Sequence, residues 1–344
     1  MLTALAVVVL FHGCSGTETQ PTPPPPPVPD PPKITCPAPI SLPSPLGSPI
    51  SVVYAAATTI GGAPPVTAAC LPAIGSIFPV GPSTVTCTAT DQRQRTDSCT
   101  FTVTVTVPPK ITATNFVAFG DSMTAGEVVS EGSGGIRILR VDVQKAYPAA
   151  LQRILAGSYT TQANSIVVEN QGLSRETAID GASRLRGVLS RGSYEALLLM
   201  DGANDLADRD SRIAQQAVAA MRSMVQTAKS RGLRVFLATL PPQNPNGCCP
   251  NRGLSWSLVE PYNDGLRGIA SSENIPLVDV YQAFGGDITT LVDFDGLHPT
   301  PAGYQRIAEE FSKSIKQNLE QGSSSSSMSN PFRLQPMFAP PRRR

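Results

Sequence analysis

Short apolar runs alternate with helical patterns from residue 115 to residue 319, and this alternation constrains the fold more than any other feature. The runs lie at residues 115–119, 165–169, 196–200, 234–238 and 277–280. Helical spacing is clearest in two sets: Ala217, Met221, Met224, Val225 and Ala228, then Tyr304, Ile307, Phe311, Ile315 and Leu319. Continuous apolar strands followed by amphipathic helices indicate a parallel sheet covered on both faces. In such sheets a ligand site lies beyond the carboxyl ends of the strands.

The preceding segment, residues 33–108, is rich in Thr, Val, Ser and Pro and ends in an alternating run from Cys99 to Val107. Alternation of apolar and polar residues over nine positions predicts a half-buried β-strand. With the runs at 83–90 and 51–54 and the turn residues between them, it predicts a small antiparallel sandwich. A module of about 75 residues buries little apolar surface, so we expect disulfides to stabilise it.

The cysteines indicate an oxidising compartment. Four of the seven lie within this module: Cys36, Cys70, Cys87 and Cys99. We expect two disulfides among them; zinc is the competing use, but no Cys-x-x-Cys pair or nearby histidine provides ligand spacing. Cys248 and Cys249 are adjacent, and a vicinal bridge, pairing elsewhere and the reduced state all stay open.

Residues 1–20 have the layout of an export segment, in which the apolar run 2–11 precedes Gly13, Cys14 and a polar stretch. A small residue before a cysteine resembles the bacterial lipoprotein processing box, which implies a lipid on Cys14 and a membrane tether. An ordinary cleaved signal with an incidental cysteine is the alternative. We expect an extracytoplasmic protein in either case.

Two segments of biased composition flank the folded regions. Residues 21–32 hold nine prolines in twelve positions, which favours an extended polyproline II spacer of roughly 37 Å; a generic linker is the alternative. Serine, proline and arginine dominate residues 321–344 and predict a disordered tail.

Four polar motifs follow the predicted strands or precede the last helix. They are Gly120-Asp121-Ser122, Asn170-Gln171-Gly172, Gly202-Ala203-Asn204-Asp205 and Asp295-Gly296-Leu297-His298. Each alone is also typical of a turn or a helix cap. Because the ends of parallel strands meet at one edge of a sheet, we expect the four motifs to converge there.

Together these residues have the chemistry of ester hydrolysis, which needs a nucleophile, a base, a group that orients the base, and donors for the oxyanion. Ser122 offers the hydroxyl, and His298 is the only histidine outside the export segment, so the role of base falls to it. Asp295 can accept the Nδ1–H of His298. We expect the oxyanion donors to be the backbone N–H groups of Ser122 and Gly172 and the side-chain amide of Asn204.

These motifs resemble the SGNH/GDSL hydrolase family, whose four blocks supply Ser, Gly, Asn and His in that order. The matching residues are Ser122, Gly172, Asn204 and His298, with the family's aspartate at Asp295. The resemblance covers residues 114–319 and implies an α/β fold, a three-layer α/β/α sandwich with about five parallel strands, in a domain at 113–320. It also implies that Asp121 shapes the turn around the serine, and we interpret Asp205 as structural.

The run from Phe78 to Asp91 and the run that begins at Cys99 resemble the HYR (hyalin repeat) module, an immunoglobulin-like extracellular domain. The resemblance covers residues 33–107. It implies the disulfides Cys70–Cys87 and Cys36–Cys99. Nothing in this segment resembles a catalytic motif.

We therefore expect an exported serine esterase that needs no metal or organic cofactor. Its substrate is a small-molecule, lipid or acylated-carbohydrate ester. The alternatives are a carbohydrate O-deacetylase of the same family and a surface adhesion protein without activity. The balance of 27 Lys and Arg against 26 Asp and Glu argues against nucleic-acid binding, which needs a basic surface.

The substrate specificity has no comparable motif. We expect the pocket walls to come from residues 124–147, 244–256 and 284–293. Trp256 is interpreted as a core residue, with a platform for sugar stacking as the alternative.

Overall fold

A computed structural model of the protein describes residues 27–131, 137–207, 209–248 and 256–321. The predicted export segment with Cys14, residues 21–26 of the proline-rich spacer and the tail beyond residue 321 lie outside the described residues. The described chain divides into two units, the first made of residues 27–42 and 49–104 and the second of residues 43–48 and 105–321.

The first unit is an all-β module. Its strands are β1 (Lys33–Thr35), β2 (Ile40–Pro43), β3 (Ile50–Ser51), β4 (Thr58–Ile60), β5 (Thr67–Leu71), β6 (Ile77–Phe78), β7 (Gly81–Thr90) and β8 (Thr96–Thr106). Strands β2, β8, β7 and β5 form a sheet in that order, β1 pairs with β4, and β3 pairs with β6. Along β8, Phe101, Val103 and Val105 are buried while the threonines between them are more exposed, as the period-two pattern predicts.

Two disulfides cross-link this module. They join Cys36 to Cys99 and Cys70 to Cys87, which are the pairs that the HYR resemblance implies. The core around them is aromatic: Tyr54 packs edge-on against Phe101, with 5.0 Å between the ring centroids.

Removal of the Cys36–Cys99 disulfide is expected to destabilise the module more than removal of Cys70–Cys87. The sequence separations are 63 and 17 residues, and cross-linking a longer loop removes more entropy from the unfolded chain. We expect Cys36→Ala/Cys99→Ala to lower the free energy of unfolding by about 4 kcal/mol and Cys70→Ala/Cys87→Ala by about 3 kcal/mol. Scanning calorimetry of the two double variants measures both losses, and the reverse order would contradict this expectation.

The second unit alternates strands with helices. Its strands are β9 (Lys110–Ile111), β10 (Asn115–Gly120), β11 (Glu127–Glu131), β12 (Arg137–Val141), β13 (Val167–Gly172), β14 (Ala196–Met200), β15 (Arg234–Ala238), β16 (Leu277–Val278) and β17 (Glu320–Gln321). Its helices are α1 (Ser122–Ala125), α2 (Tyr147–Ser158), α3 (Ala178–Arg191), α4 (Ser211–Ser230), α5 (Trp256–Glu273), α6 (Val280–Ala283) and α7 (Pro301–Leu319), with a 3₁₀ turn at Thr160–Gln162.

Strands β13, β10, β14, β15 and β16 form one parallel sheet in that order. Consecutive residues of β10 and β14 are fully buried, which shows that both faces of the sheet are covered. Helix α2 packs against α7, and α4 packs against α3 and α5. The predicted α/β/α sandwich with five parallel strands is confirmed. None of the helices in the described part of the chain combines the length and apolar composition of a membrane span.

Two smaller pairings complete the second unit. Strand β9 pairs with β17 in an antiparallel arrangement. Strands β11 and β12 form an antiparallel hairpin that the sequence did not predict.

The sheet order creates the crevice in which ligands bind in open α/β folds. Gly120, at the end of the central strand β10, pairs with Gly172 of β13 and with Met200 of β14. A Cβ atom on Gly120 would lie 1.8 Å from the carbonyl oxygen of Met200, so only glycine allows this approach. From β10 the chain passes to β13 on one side of it, and from β13 it crosses to β14 on the other side, so the strand order reverses at β10.

Candidate active site

Ser122 is the first residue of the one-turn helix α1, directly after β10. Asp121 caps this helix: its Oδ1 accepts the backbone N–H of Met123 at 2.9 Å, and its Oδ2 accepts that of Ala203 at 3.2 Å. Burial raises the pKa of Asp121 to about 6, although both N–H groups oppose the rise. Asp121 thus connects the turn that carries Ser122 to the loop after β14. From this position it can shape the turn around the serine.

Asp295 and His298 lie in the loop before α7. Oδ1 of Asp295 accepts the backbone N–H groups of Leu297 and His298, both at 3.0 Å, and Oδ2 lies 2.5 Å from Nδ1 of His298. The other ring nitrogen, Nε2, lies 2.8 Å from Oγ of Ser122. Ser122 is 5% exposed, and Asp295 and His298 are each 4% exposed. Three groups that are distant in sequence therefore form one buried chain of hydrogen bonds.

The charged groups near these hydrogen bonds make the imidazole of His298 more basic than usual. Burial works against the charged form of His298, yet its pKa lies above the usual value because the hydrogen bond with Asp295 and the charges of Asp295, Glu127 and Asp121 outweigh burial. Burial also acts to raise the pKa of Asp295, but the hydrogen bond and charge of His298 and two backbone N–H groups bring it below the usual value. An ionised carboxylate beside a ring that gains a proton readily is suited to general-base chemistry.

The three expected oxyanion donors differ in the hydrogen bonds that they make in the structure. The backbone N–H of Ser122 has no acceptor among the described residues. Asn204 donates one side-chain N–H to the carbonyl of Glu176 at 2.8 Å, and no described residue accepts its second N–H. The N–H of Gly172 donates to Oδ1 of Asn170 at 2.9 Å, a bond that the sequence did not predict.

Gly172 also has a packing role that the motif alone does not reveal. A Cβ atom at this position would lie 2.0 Å from the backbone nitrogen of Ala125, in the helix that carries Ser122. Only glycine lets β13 approach that helix. Asp205, by contrast, accepts the backbone N–H of Ala178 at 2.7 Å, at the start of α3.

Glu127 is the site residue that sequence reasoning missed. Its Oε2 lies 3.3 Å from Nε2 of His298, and its side chain is 18% exposed. Its only signal in the sequence is its position five residues after Ser122, because a single glutamate in a short strand matches no motif.

A cleft of about 400 Å³ opens beside the triad. Its lining residues are Glu127, Val129, Arg137, Ile138, Leu139, Arg175, Cys248, Phe294 and Asp295. Residues 124–147 and 244–256 contribute as expected, but residues 284–293 do not. The guanidinium of Arg137 lies 4.2 Å from the ring centroid of Phe294, at the rim of the cleft.

The interpretation of Trp256 as a core residue is wrong. Its side chain is 58% exposed. Trp256 is the first residue of α5, and the buried face of that helix is formed by residues further along, such as Val259, Tyr262 and Leu266. Cys249 lies outside the described residues.

Comparison with known proteins gives two family matches and one curated relative. The model of the GDSL-like lipase/acylhydrolase family matches residues 118–306, and the HYR domain model matches residues 29–105. Esterase TesA from Pseudomonas aeruginosa is 26% identical over 205 residues, which are 59% of this chain and 89% of that protein.

Similar solved structures include the lipase/acylhydrolase from Enterococcus faecalis, with 21% identity and a TM-score of 0.48 over 59% of this chain and 96% of that one. TesA has 25% identity and a TM-score of 0.44 over 59% and 98% of the two chains. A catalytic mutant of Axe2, an acetylxylan esterase from Geobacillus stearothermophilus, has 23% identity and a TM-score of 0.46 over 60% and 96%.

Proposed function

We propose that this chain, which belongs to the GDSL-like lipase/acylhydrolase family and is an ester hydrolase, is an exported serine esterase that works through an acyl-enzyme. Ser122 is the nucleophile, His298 the general base and Asp295 the residue that orients the base. The observation that carries this proposal is the distance of 2.8 Å between Ser122 Oγ and His298 Nε2, with Nδ1 held by Asp295.

The hydrogen bonds define the direction of each proton transfer. Asp295 accepts the Nδ1–H of His298, so the lone pair of the neutral ring lies on Nε2 and faces the serine hydroxyl. As Oγ bonds to the ester carbonyl carbon, the hydroxyl proton moves to Nε2 and the carbonyl π electrons move to oxygen. The C–O bond then breaks, and the alcohol leaves with the proton from Nε2. Water repeats both steps on the acyl-enzyme.

The experiment that tests this function is hydrolysis of p-nitrophenyl esters from acetyl to long acyl chains by the purified protein. We expect turnover of at least the short esters. Absence of hydrolysis across the panel, together with absence of labelling by a fluorophosphonate, would leave the expected alternative of an adhesion protein without activity.

Replacement of Asn204 by alanine tests the oxyanion role. The variant loses the second side-chain N–H, and the loss of one such donor costs about 10²- to 10³-fold in kcat in a serine hydrolase of another fold. We expect a decrease of that size with little change in KM. Asn318→Ala is the matched control, since Asn318 donates to the carbonyl of Ser314 on α7. An unchanged kcat in Asn204→Ala would contradict the role.

The charged groups of the cleft favour a second candidate within the same reaction class, the carbohydrate O-deacetylase. Arg137 and Arg175 line the cleft, and such groups hydrogen-bond to the hydroxyls of a polar alcohol better than to a lipid. Release of acetate from acetylated polysaccharides tests this candidate. Efficient hydrolysis of long-chain esters alone would exclude it.

Export and tethering are part of the proposal. The two disulfides and the HYR module support an extracytoplasmic location, because structural disulfides persist in oxidising compartments. Residues 1–20 supply the export segment and Cys14 a lipid tether, and both lie outside the described residues. Membrane fractionation of cells that express the chain or Cys14→Ser separates a lipid tether from simple secretion: the variant is expected to leave the membrane fraction.

A further inference from the structure

Two carboxylates, one on each side, flank the imidazole of His298. Asp295 contacts Nδ1 at 2.5 Å, and Glu127 lies 3.3 Å from the reacting nitrogen Nε2. Among the described residues, the carboxylate of Glu127 has no other ion-pair partner. The imidazole is therefore its only close charge partner in the described part of the chain.

The fold holds Glu127 in this position from three directions. Helix α1 ends at Gly126, whose left-handed φ of 94° turns the chain. A Cβ on Gly126 would lie 2.5 Å from Cβ of Ala146. Glu127 pairs with Val141 across the hairpin, and its carbonyl accepts the hydroxyl of Tyr304 at 2.7 Å. These contacts fix the backbone five residues after the nucleophile.

The structure assigns to Glu127 the role of a positioning residue that stabilises the protonated imidazole of His298 at its reacting nitrogen. This inference rests on the proposed serine esterase. In the neutral ring Nε2 carries a lone pair, and it accepts from the hydroxyl of Ser122 but has nothing to donate to a carboxylate. After the serine proton arrives, the ring is positively charged and lies 3.3 Å from the carboxylate of Glu127, whose negative charge stabilises it.

Glu127 stabilises the charge of the protonated ring and does not itself take the proton. The proton that Ser122 loses stays on Nε2 of the charged ring, and it moves to the leaving oxygen when the C–O bond breaks. Three charged groups face the ring from three elements: Asp295 from its own loop, Asp121 from the turn after β10, and Glu127 from β11. In a variant without the Glu127 charge the other two remain, so the effect is partial.

Glu127→Gln removes the charge and keeps a similar shape. Because a nearby negative charge favours the imidazolium, its loss is expected to move the acidic limb of the pH profile of kcat/KM on p-nitrophenyl acetate to lower pH by about one unit. The plateau above the limb is expected to fall several-fold, since the imidazolium formed during attack is less stabilised. Glu131→Gln, the same change at the other end of β11, is the control and is expected to change neither quantity.

Titration of His298 by NMR in protein with ¹³C-labelled histidine reads the contact without any substrate. The only other histidine, His12, is assigned with His12→Gln. We expect the pKa of His298 to fall by about one unit in Glu127→Gln and to stay unchanged in Glu131→Gln. A shift in this titration without hydrolysis would remove the proposed esterase function and leave the contact intact.

An active Glu127→Gln enzyme with an unmoved acidic limb and an unmoved His298 titration would overturn the inference. A rise in KM alone, with both titrations unchanged, would also overturn it and would make Glu127 a substrate contact.

Discussion

Replacement of Ser122 by alanine is expected to lower kcat for p-nitrophenyl acetate by about 10⁶-fold, because removal of the nucleophile of a serine hydrolase leaves only the catalysis due to binding and the oxyanion donors. The variant keeps the backbone N–H at position 122 and the cap made by Asp121. Its melting temperature is therefore expected to remain close to that of the parent protein. The measurement is steady-state hydrolysis, with thermal unfolding followed in parallel.

Ser190→Ala is the matched control for this substitution. The hydroxyl of Ser190 donates to the carbonyl of Gly187 at the surface of α3, and its loss is expected to leave kcat unchanged. Retention of more than a hundredth of the parent kcat in Ser122→Ala would show that another group performs the attack.

Replacement of Asp295 by asparagine is expected to lower kcat by about 10⁴-fold through the wrong imidazole tautomer. Oδ1 of Asp295 accepts two backbone N–H groups, so the oxygen of an asparagine must occupy that position and its NH₂ group must face Nδ1 of His298. Nδ1 then accepts a hydrogen bond from this NH₂ group instead of donating one. The ring proton consequently lies on Nε2, where it prevents acceptance of the serine proton.

A matched variant separates this mechanism from simple loss of structure. Asp293→Asn, a change of the same kind two residues earlier in the loop, is expected to retain activity, because among the described residues the Asp293 side chain accepts only the N–H of Phe294. A loss of less than tenfold in a folded Asp295→Asn enzyme would contradict the orienting role of Asp295.

The parallel sheet was predictable from the sequence because its strands are buried on both faces. Such strands are continuous apolar runs, and β14 and β15 have the predicted bounds Ala196–Met200 and Arg234–Ala238. The run at 277–280 was predicted less well. Strand β16 ends at Val278, because Asp279 caps α6 by accepting the N–H of Gln282.

The β11–β12 hairpin was not predictable in the same way. Most of its residues are partly or fully exposed, so no buried face imposes an apolar period on the sequence. The contact between Glu127 and His298 depends on this hairpin and was missed with it. The hydrogen bond of Gly172 to Asn170 was missed because it depends on the side-chain rotamer of Asn170 rather than on the order of motifs.

The proximity of Ser122, His298 and Asp295 could be anticipated from the sequence because topology places separated motifs at one edge. Ser122 follows β10 and Gly172 ends β13, and the two strands are paired along their whole length. The presence of only two histidines in the chain left a single candidate for the base. The electrostatic environment of that base could not be inferred, since it depends on which acidic groups the fold brings near the ring.

Mass spectrometry of the protein after reaction with a fluorophosphonate tests the convergence of Ser122, His298 and Asp295 most directly, since this reagent reports an activated serine without any assumption about the natural ester. We expect one adduct per chain, carried by the peptide that contains Ser122, and none in Ser122→Ala or His298→Ala. An adduct at another residue, or labelling of Ser122→Ala at the rate of the parent protein, would contradict the proposed triad.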